Sequence, residues 1–164
     1  MIIKIKNKDT LIVDEFKLKC CVGKNGISKN KTEGDLTTPA GNFKIGNLYW
    51  RDDRVKKPIT KLICKKIKRN MGWCNDINSR KYNQEIYFPF QYRAEKLYRK
   101  DNIYDIFINI KYNHSPIIKA RGSAIFLHLS NKKYRPTSGC VALLKKDFLK
   151  ILPLINKKTK ISIS

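Results

Sequence analysis

Cys140 and His128 are the residues whose types and spacing could carry out catalysis. His128 is one of two histidines and lies twelve positions before Cys140 in the stretch FLHLSNKKYRPTSGCVALL, residues 126 to 144. A cysteine attacks a carbonyl as its thiolate, and a neighbouring imidazole is a common base for removing the thiol proton. The pair therefore indicates nucleophilic acyl transfer.

A structural role for both residues is the alternative. A free cysteine at the start of an apolar strand is often a small buried hydrophobe, and a lone histidine on a strand is often structural. Composition and spacing alone leave both readings open.

Two predicted strands, 123 to 129 and 140 to 144, must position this pair. If the strands are adjacent and antiparallel, the end of the first meets the start of the second, which brings imidazole and thiol within reach. Gly139 permits a backbone turn immediately before Cys140. We expect the main-chain N–H groups of Gly139 and Cys140 to form an oxyanion hole.

Alternating apolar and polar residues predict a mainly β fold around these two strands. A single short helix is predicted at 146 to 155, near the C-terminus, with Pro153 ending or kinking it. Long loops are predicted at 23 to 41 and at about 68 to 103. The predicted strands are 2 to 6, 11 to 13, 16 to 22, 42 to 50, 104 to 112, 123 to 129, 140 to 144 and 160 to 163.

Length and composition indicate one globular domain, residues 1 to 164. Hydrophobic residues make up 41% of the chain, which is too apolar for a disordered protein. Lys and Arg total 36 against 13 Asp and Glu, giving a net charge of +23 that would attract polyanions. The lysines are scattered along the chain, so we expect no specific nucleic-acid partner, although a non-enzymatic module that binds polyanions remains an alternative.

The other cysteines give no pattern of a metal site or a disulfide framework. The five cysteines are odd in number and lack the C-x-x-C spacing of zinc and redox sites; they are Cys20, Cys21, Cys64, Cys74 and Cys140.

The N-terminus lacks the apolar stretch of a secretory signal, and no stretch approaches the roughly 20 apolar residues of a membrane span. We expect no signal peptide, no transmembrane segment and a monomer.

The stretch that contains His128 and Cys140 resembles the active-site segment of the L,D-transpeptidase (YkuD-type) family, in which a histidine precedes an S/T-x-G-C signature. Thr137, Gly139 and Cys140 match that signature. The segment TPAGNF at 38 to 43 is similar to the family's T-P-x-G-x-F turn. GWCND, YN at 82 to 83, YDIFINIKYN and GSAIFLH resemble a branch of stand-alone domains, so the resemblance covers nearly the whole chain and implies a β-sandwich of mixed sheets.

The resemblance implies a two-step reaction on peptidoglycan stem peptides. Cys140 would attack the L,D bond between meso-diaminopimelate and the terminal D-Ala of a tetrapeptide, and His128 would transfer the thiol proton to the leaving amine. A second diaminopimelate amine would resolve the thioester into a crosslink, whereas water would give L,D-carboxypeptidase activity. The family requires no metal or organic cofactor. It implies a place in the cell envelope or periplasm, although a cytoplasmic place is possible for the sequence as written.

The sequence departs from the family at two positions near the nucleophile. Ser138 stands where many members have His, and Ala142 stands where many have an Arg that contacts a substrate carboxylate. Arg121, Arg135 and Arg93 are candidates to replace that Arg.

Three further residues are predicted to contact the substrate. Thr137 and Ser138 would act through hydroxyl hydrogen bonds, and Trp73 would form part of an aromatic wall, with aromatic core as the alternative. The loop at 23 to 41 is either a mobile lid or a static connection.

Overall fold

The computed structural model describes residues 1–164 and consists mainly of β-strands. One helix, α1 (Lys145–Ile151), continues into a 3₁₀ turn at Leu152–Leu154. The predicted mainly β class with one short helix near the C-terminus is confirmed. The strands are β1 (Ile2–Lys6), β2 (Thr10–Val13), β3 (Phe16–Cys21), β4 (Ile27–Ser28), β5 (Thr38–Pro39), β6 (Gly41–Trp50), β7 (Cys64–Lys66), β8 (Met71–Cys74), β9 (Glu85–Tyr87), β10 (Ala94–Lys96), β11 (Ile106–Ile110), β12 (Phe126–Leu129), β13 (Val141–Leu143) and β14 (Lys160–Ile163).

Two mixed sheets form a β-sandwich, and strands β3 and β6 belong to both. The first half of β6 pairs with β14 and its second half with β11. The last two residues of β3 pair with β13, whereas the rest of the strand pairs with β2. The pairs β1–β14, β12–β13 and β6–β7 are parallel. The predicted sandwich of mixed sheets is therefore confirmed.

Alternation along the outer strands builds the main core. In β1, Ile3 and Ile5 are fully buried while Lys4 and Lys6 are exposed. This core cluster contains 25 buried residues, and each fully buried aliphatic side chain contributes about 1.5–3 kcal/mol. The hydrophobic effect thus explains why a chain with so many lysines folds.

A second, aromatic core lies on the opposite face of β11 and β12. Phe107 and Phe126 belong to it, with their ring centroids 4.6 Å apart, whereas Leu127 belongs to the main core. Trp73 of β8 packs edge-on against Phe126. Both faces of β12 are buried in this way, and the face of Phe126 also carries His128.

The two regions predicted to be loops contain short strands. Strands β9, β8 and β10 form a three-stranded antiparallel sheet within residues 68 to 103. Strands β4 and β5 form a two-residue parallel pair within residues 23 to 41. The prediction that 68 to 103 is irregular is wrong because strands of three or four residues are too short to show a period-two pattern.

Helix α1 ends at Ile151, and Pro153 lies in the first turn of the 3₁₀ segment that follows, where its missing N–H costs no hydrogen bond. Phe148 and Ile151 are buried, whereas Leu149 is 39% exposed. The structure contains no helix with the length and apolarity needed to cross a membrane.

Candidate active site

Parallel pairing of β12 with β13 places His128 and Cys140 on the same face of the sheet. His128 lies opposite Ala142 in the ladder, and Cys140 immediately precedes β13. Because side chains alternate between faces, residues two apart share a face. The antiparallel arrangement considered from the sequence is therefore wrong, but the parallel one also brings both side chains to one cavity.

The Cys140 thiol lies in a buried pocket of backbone groups. Sγ donates a hydrogen bond to the Ala124 carbonyl oxygen at 3.2 Å and accepts one from the Phe126 N–H at 3.3 Å. Burial, together with the negative charge of Glu95, raises the pKa of Cys140 to about 12, although the Phe126 N–H acts in the opposite direction. At neutral pH the resting thiol therefore keeps its proton.

The His128 imidazole is buried and fixed in one tautomer. Its Nδ1 lies 2.8 Å from the Leu129 carbonyl oxygen, which can only accept, so Nδ1 carries the proton and Nε2 is left basic. Burial lowers the pKa of His128 to about 4, against the opposite effect of the Leu129 carbonyl. The Tyr104 ring packs edge-on against the imidazole at 5.3 Å between centroids.

The pair at rest is thus a neutral thiol and a neutral imidazole. This differs from a preformed thiolate–imidazolium pair, which needs a low thiol pKa. For Cys140 to act as a nucleophile a proton must leave Sγ, and the unprotonated Nε2 of His128 is the basic group of this pair.

A tight turn at residues 137 to 140 positions Cys140. Gly139 has a φ of +141°, and a Cβ added there would lie 2.8 Å from the Thr37 carbonyl oxygen, so only glycine fits. The Thr137 hydroxyl accepts a hydrogen bond from the Gly139 N–H at 3.1 Å and donates one to the Cys140 carbonyl oxygen at 2.6 Å. Of the two N–H groups expected in an oxyanion hole, that of Gly139 is therefore already engaged, whereas that of Cys140 makes no hydrogen bond.

Asn83 supports the segment that receives the thiol. Its Oδ1 accepts hydrogen bonds from the Trp73 indole N–H and the Ala124 N–H, both at 3.0 Å. Its Nδ2 donates to the carbonyl oxygens of Tyr112 at 3.1 Å and Asn113 at 2.7 Å. This buried amide is fully satisfied and holds Ala124, whose φ is +53°, in an uncommon conformation.

The predicted substrate-contact residues divide into those at the cavity and those away from it. The cavity has a volume of about 500 Å³, and Thr137, Ser138, Arg135 and Arg93 all line it. The guanidinium of Arg135 has no hydrogen bond or acidic partner within the protein, whereas that of Arg93 bonds to Asn75. Two further candidates lie elsewhere, since Arg121 is exposed outside the cavity and Trp73 is 5% exposed in the aromatic core.

Several charged or polar residues that line the cavity were not predicted from the sequence. They include Lys31, Glu95, Arg99 and Tyr104. The Tyr104 hydroxyl donates to Glu95 Oε1 at 2.7 Å, and the pKa of Glu95 is raised, chiefly by burial. Lys31 and Glu95 come from regions read as loops, and no spacing in the sequence connects them to Cys140.

Other reactive groups lie outside this cavity. Cys74 is fully buried in β8 and does not line the cavity, and no group of three or more His, Cys, Asp and Glu residues could hold a metal ion. All five cysteines are free thiols.

Comparison with known proteins identifies one family. The family model of YkuD, described as the L,D-transpeptidase catalytic domain, matches residues 2–163. Comparisons with curated proteins and with solved structures gave no match.

Proposed function

The chain belongs to the YkuD family of L,D-transpeptidase catalytic domains, and on this premise we propose that it is a peptidoglycan L,D-transpeptidase with Cys140 as nucleophile. Enzymes of this family act on peptidoglycan stem peptides. The observation that carries the proposal is the placement of Cys140 and a fixed, neutral His128 on one face and at one cavity.

The first step is acylation of Cys140 by a tetrapeptide stem. As Sγ attacks the carbonyl carbon of the L,D bond, its proton passes to Nε2 of His128, which forms an imidazolium. The imidazolium then protonates the amine of the terminal D-Ala as the C–N bond breaks, leaving a thioester on Cys140.

Charge develops on the substrate carbonyl oxygen during this step. The Cys140 N–H, which has no hydrogen bond within the protein, is the donor that we assign to this oxyanion. The Gly139 N–H contributes indirectly, because its bond to the Thr137 hydroxyl fixes the turn.

The second step is attack on the thioester by an amine. The neutral Nε2 of His128 accepts the amine proton as the new C–N bond forms, and the resulting imidazolium returns that proton to Sγ as the C–S bond breaks, so the resting site is restored. An amine from a second diaminopimelate gives a crosslink, and water gives the carboxypeptidase product. The reaction uses no metal or organic cofactor in this proposal.

Arg135 replaces the arginine that many relatives carry two residues after the nucleophile. That position is Ala142 here, which is 1% exposed and lies within β13. Arg135 is exposed at the cavity with its guanidinium unpaired, so it is free to bind a carboxylate of the stem peptide. We further infer a place in the cell envelope, where enzymes of this family normally act.

Release of D-Ala from a disaccharide tetrapeptide tests the proposal. We expect the purified protein to release D-Ala and to form crosslinked dimers, and we expect Cys140→Ala to abolish both. Cys74→Ala is the matched control because Cys74 is a buried cysteine away from the cavity. Intact tetrapeptide after long incubation with folded protein would contradict the proposal.

Product analysis in the same assay distinguishes the two alternatives. Free tripeptide without dimers would indicate an L,D-carboxypeptidase that uses the same residues. A polyanion-binding module would leave the tetrapeptide intact and would bind polyanions in a salt-dependent manner that survives Cys140→Ala.

A further inference from the structure

Lys31 occupies the cavity wall next to the turn that carries the nucleophile. Its side chain is 4% exposed, and a Cβ placed on Gly139 would lie 3.4 Å from its Nζ. A Cβ placed on Gly122 would lie 2.8 Å from its Cε. The two glycines therefore leave the space that Lys31 fills, and its ammonium lies beside the residue that precedes Cys140.

The charge of Lys31 is only partly satisfied. Nζ forms an ion pair with Asp35 Oδ1 at 2.8 Å, which uses one of its three N–H donors, and it has no other hydrogen bond. Burial acts to raise the pKa of Asp35, but hydrogen bonds from Lys31, Thr32 and Thr37 outweigh it and lower the pKa to about 2. Two of the three N–H donors of Lys31 have no partner within the protein, which leaves them available to a negatively charged group in the cavity.

Apart from the Phe126 N–H and Lys31, the groups around Cys140 disfavour a thiolate. Burial removes water from Sγ, and the cavity carboxylate of Glu95 adds a negative charge. Of the charged groups that influence this thiol, Lys31 acts in the opposite direction and lowers its pKa.

We propose that Lys31 stabilises the Cys140 thiolate while the thiol proton moves to Nε2 of His128. In that transfer the S–H bond breaks and an N–H bond forms, which leaves a thiolate and an imidazolium. The Lys31 ammonium lies beside Gly139, and its positive charge attracts the negative charge on Sγ in a region from which water is largely excluded. The role in acyl transfer rests on the proposed function, but thiol ionisation does not require a peptidoglycan substrate.

A structural role is the competing explanation. The ion pair between Lys31 and Asp35 joins two parts of the loop at 23 to 41, and that loop borders the cavity. If the ion pair only secured the loop, removing either partner would disturb the site in the same direction.

Alkylation of Cys140 by iodoacetamide, followed by mass spectrometry of the Cys140 peptide, separates the two roles. At pH 8, we expect Lys31→Met to slow alkylation about three- to tenfold, because the thiolate fraction falls tenfold per pKa unit and nucleophilicity partly compensates. We expect Asp35→Asn, which keeps the ammonium and removes a nearby anion, to react at least as fast as the unmodified protein.

A double variant keeps the test decisive if the single Lys31 variant fails to fold. Lys31→Met combined with Asp35→Asn leaves no unpaired charge, and we expect it to be slowed as much as Lys31→Met. Equal slowing by Asp35→Asn alone, or unchanged alkylation in every variant, would overturn the proposal. Because no stem peptide is used, this outcome is independent of whether the protein releases D-Ala.

Discussion

The Asn83→Ala substitution tests whether the buried Asn83 amide stabilises the backbone that surrounds Cys140. The residue is 6% exposed, and its side chain makes four hydrogen bonds, two of which satisfy the Trp73 and Ala124 N–H groups. Each buried donor left without a partner costs about 1–3 kcal/mol. With two such donors, we expect Asn83→Ala to lower the free energy of unfolding by about 4 kcal/mol.

Urea denaturation followed by circular dichroism measures this loss. For a domain of this size, 1 kcal/mol corresponds to about 2–4 °C, so the melting temperature should fall by roughly 8–16 °C. The matched control is Asn102→Ala, because Asn102 is exposed and its amide makes no hydrogen bond. If Asn83→Ala lowers the free energy of unfolding by no more than about 0.5 kcal/mol beyond the control, the hydrogen bonds of Asn83 do not stabilise the fold as proposed.

The same variant should also alter the thiol. Ala124 accepts the hydrogen bond from Sγ, and Asn83 fixes the Ala124 backbone at a φ of +53°. We expect the rate of D-Ala release by Asn83→Ala to fall in protein that is still folded, measured well below its melting temperature. Full activity in a destabilised variant would show that Asn83 stabilises the fold without positioning the nucleophile.

Three further predictions concern the turn, the base and the substrate contact. Gly139→Ala should cost about 1–3 kcal/mol and most of the activity, because φ is +141° and the added Cβ would meet a carbonyl oxygen at 2.8 Å. Gly26→Ala, at a φ of +84° and outside the cavity, would meet only the end of the Lys8 side chain, so it should lose less stability in the same urea titration and keep more activity; equal losses of activity would contradict this. Burial lowers the pKa of His128 from an ordinary value near 6.5 to about 4, so the unfolded chain binds the proton more readily. The neutral His128 imidazole therefore makes its full contribution to the free energy of unfolding above pH 6.5. This contribution falls by about 3 kcal/mol as the pH decreases towards 4. Urea titrations across this range should therefore show a flatter profile for His128→Gln, and parallel profiles would disprove the assignment. Arg135→Ala should raise KM for the tetrapeptide about tenfold or more through loss of a charged hydrogen bond, with kcat less affected, whereas Arg121→Ala should leave steady-state kinetics unchanged; equal effects would argue against a carboxylate contact at Arg135.

The sandwich could be predicted because its strands are long enough to show their period. In β1 and β14, alternate residues such as Ile3 and Ile161 are fully buried while their neighbours face water, and burial of one face requires such alternation. The short helix was equally readable, since Pro153 limits its length.

The pairing direction of the two active-site strands could not be predicted. Parallel strands usually require a long crossover, often a helix, whereas residues 130 to 139 form an irregular connection with no helix. The alternation within β12 and β13 is compatible with either direction, so the pattern did not distinguish them.

Residue type, spacing and the family resemblance made His128 and Cys140 the candidate pair, but nothing in the sequence indicated which residues surround them. Lys31 is one of many lysines, and only folding brings it beside Gly139. Trp73 was expected to contact the substrate but is buried in the aromatic core. The sequence could not show this, because that core forms only when distant segments pack together.

Acid-quenched mass spectrometry of the protein mixed with a tetrapeptide tests the central claim most directly. We expect a transient mass increase equal to the stem peptide less its terminal D-Ala, located on the Cys140 peptide and absent from Cys140→Ala. We also expect slower formation of this adduct in His128→Gln. Release of D-Ala with no adduct on Cys140, or an adduct on another cysteine, would contradict it.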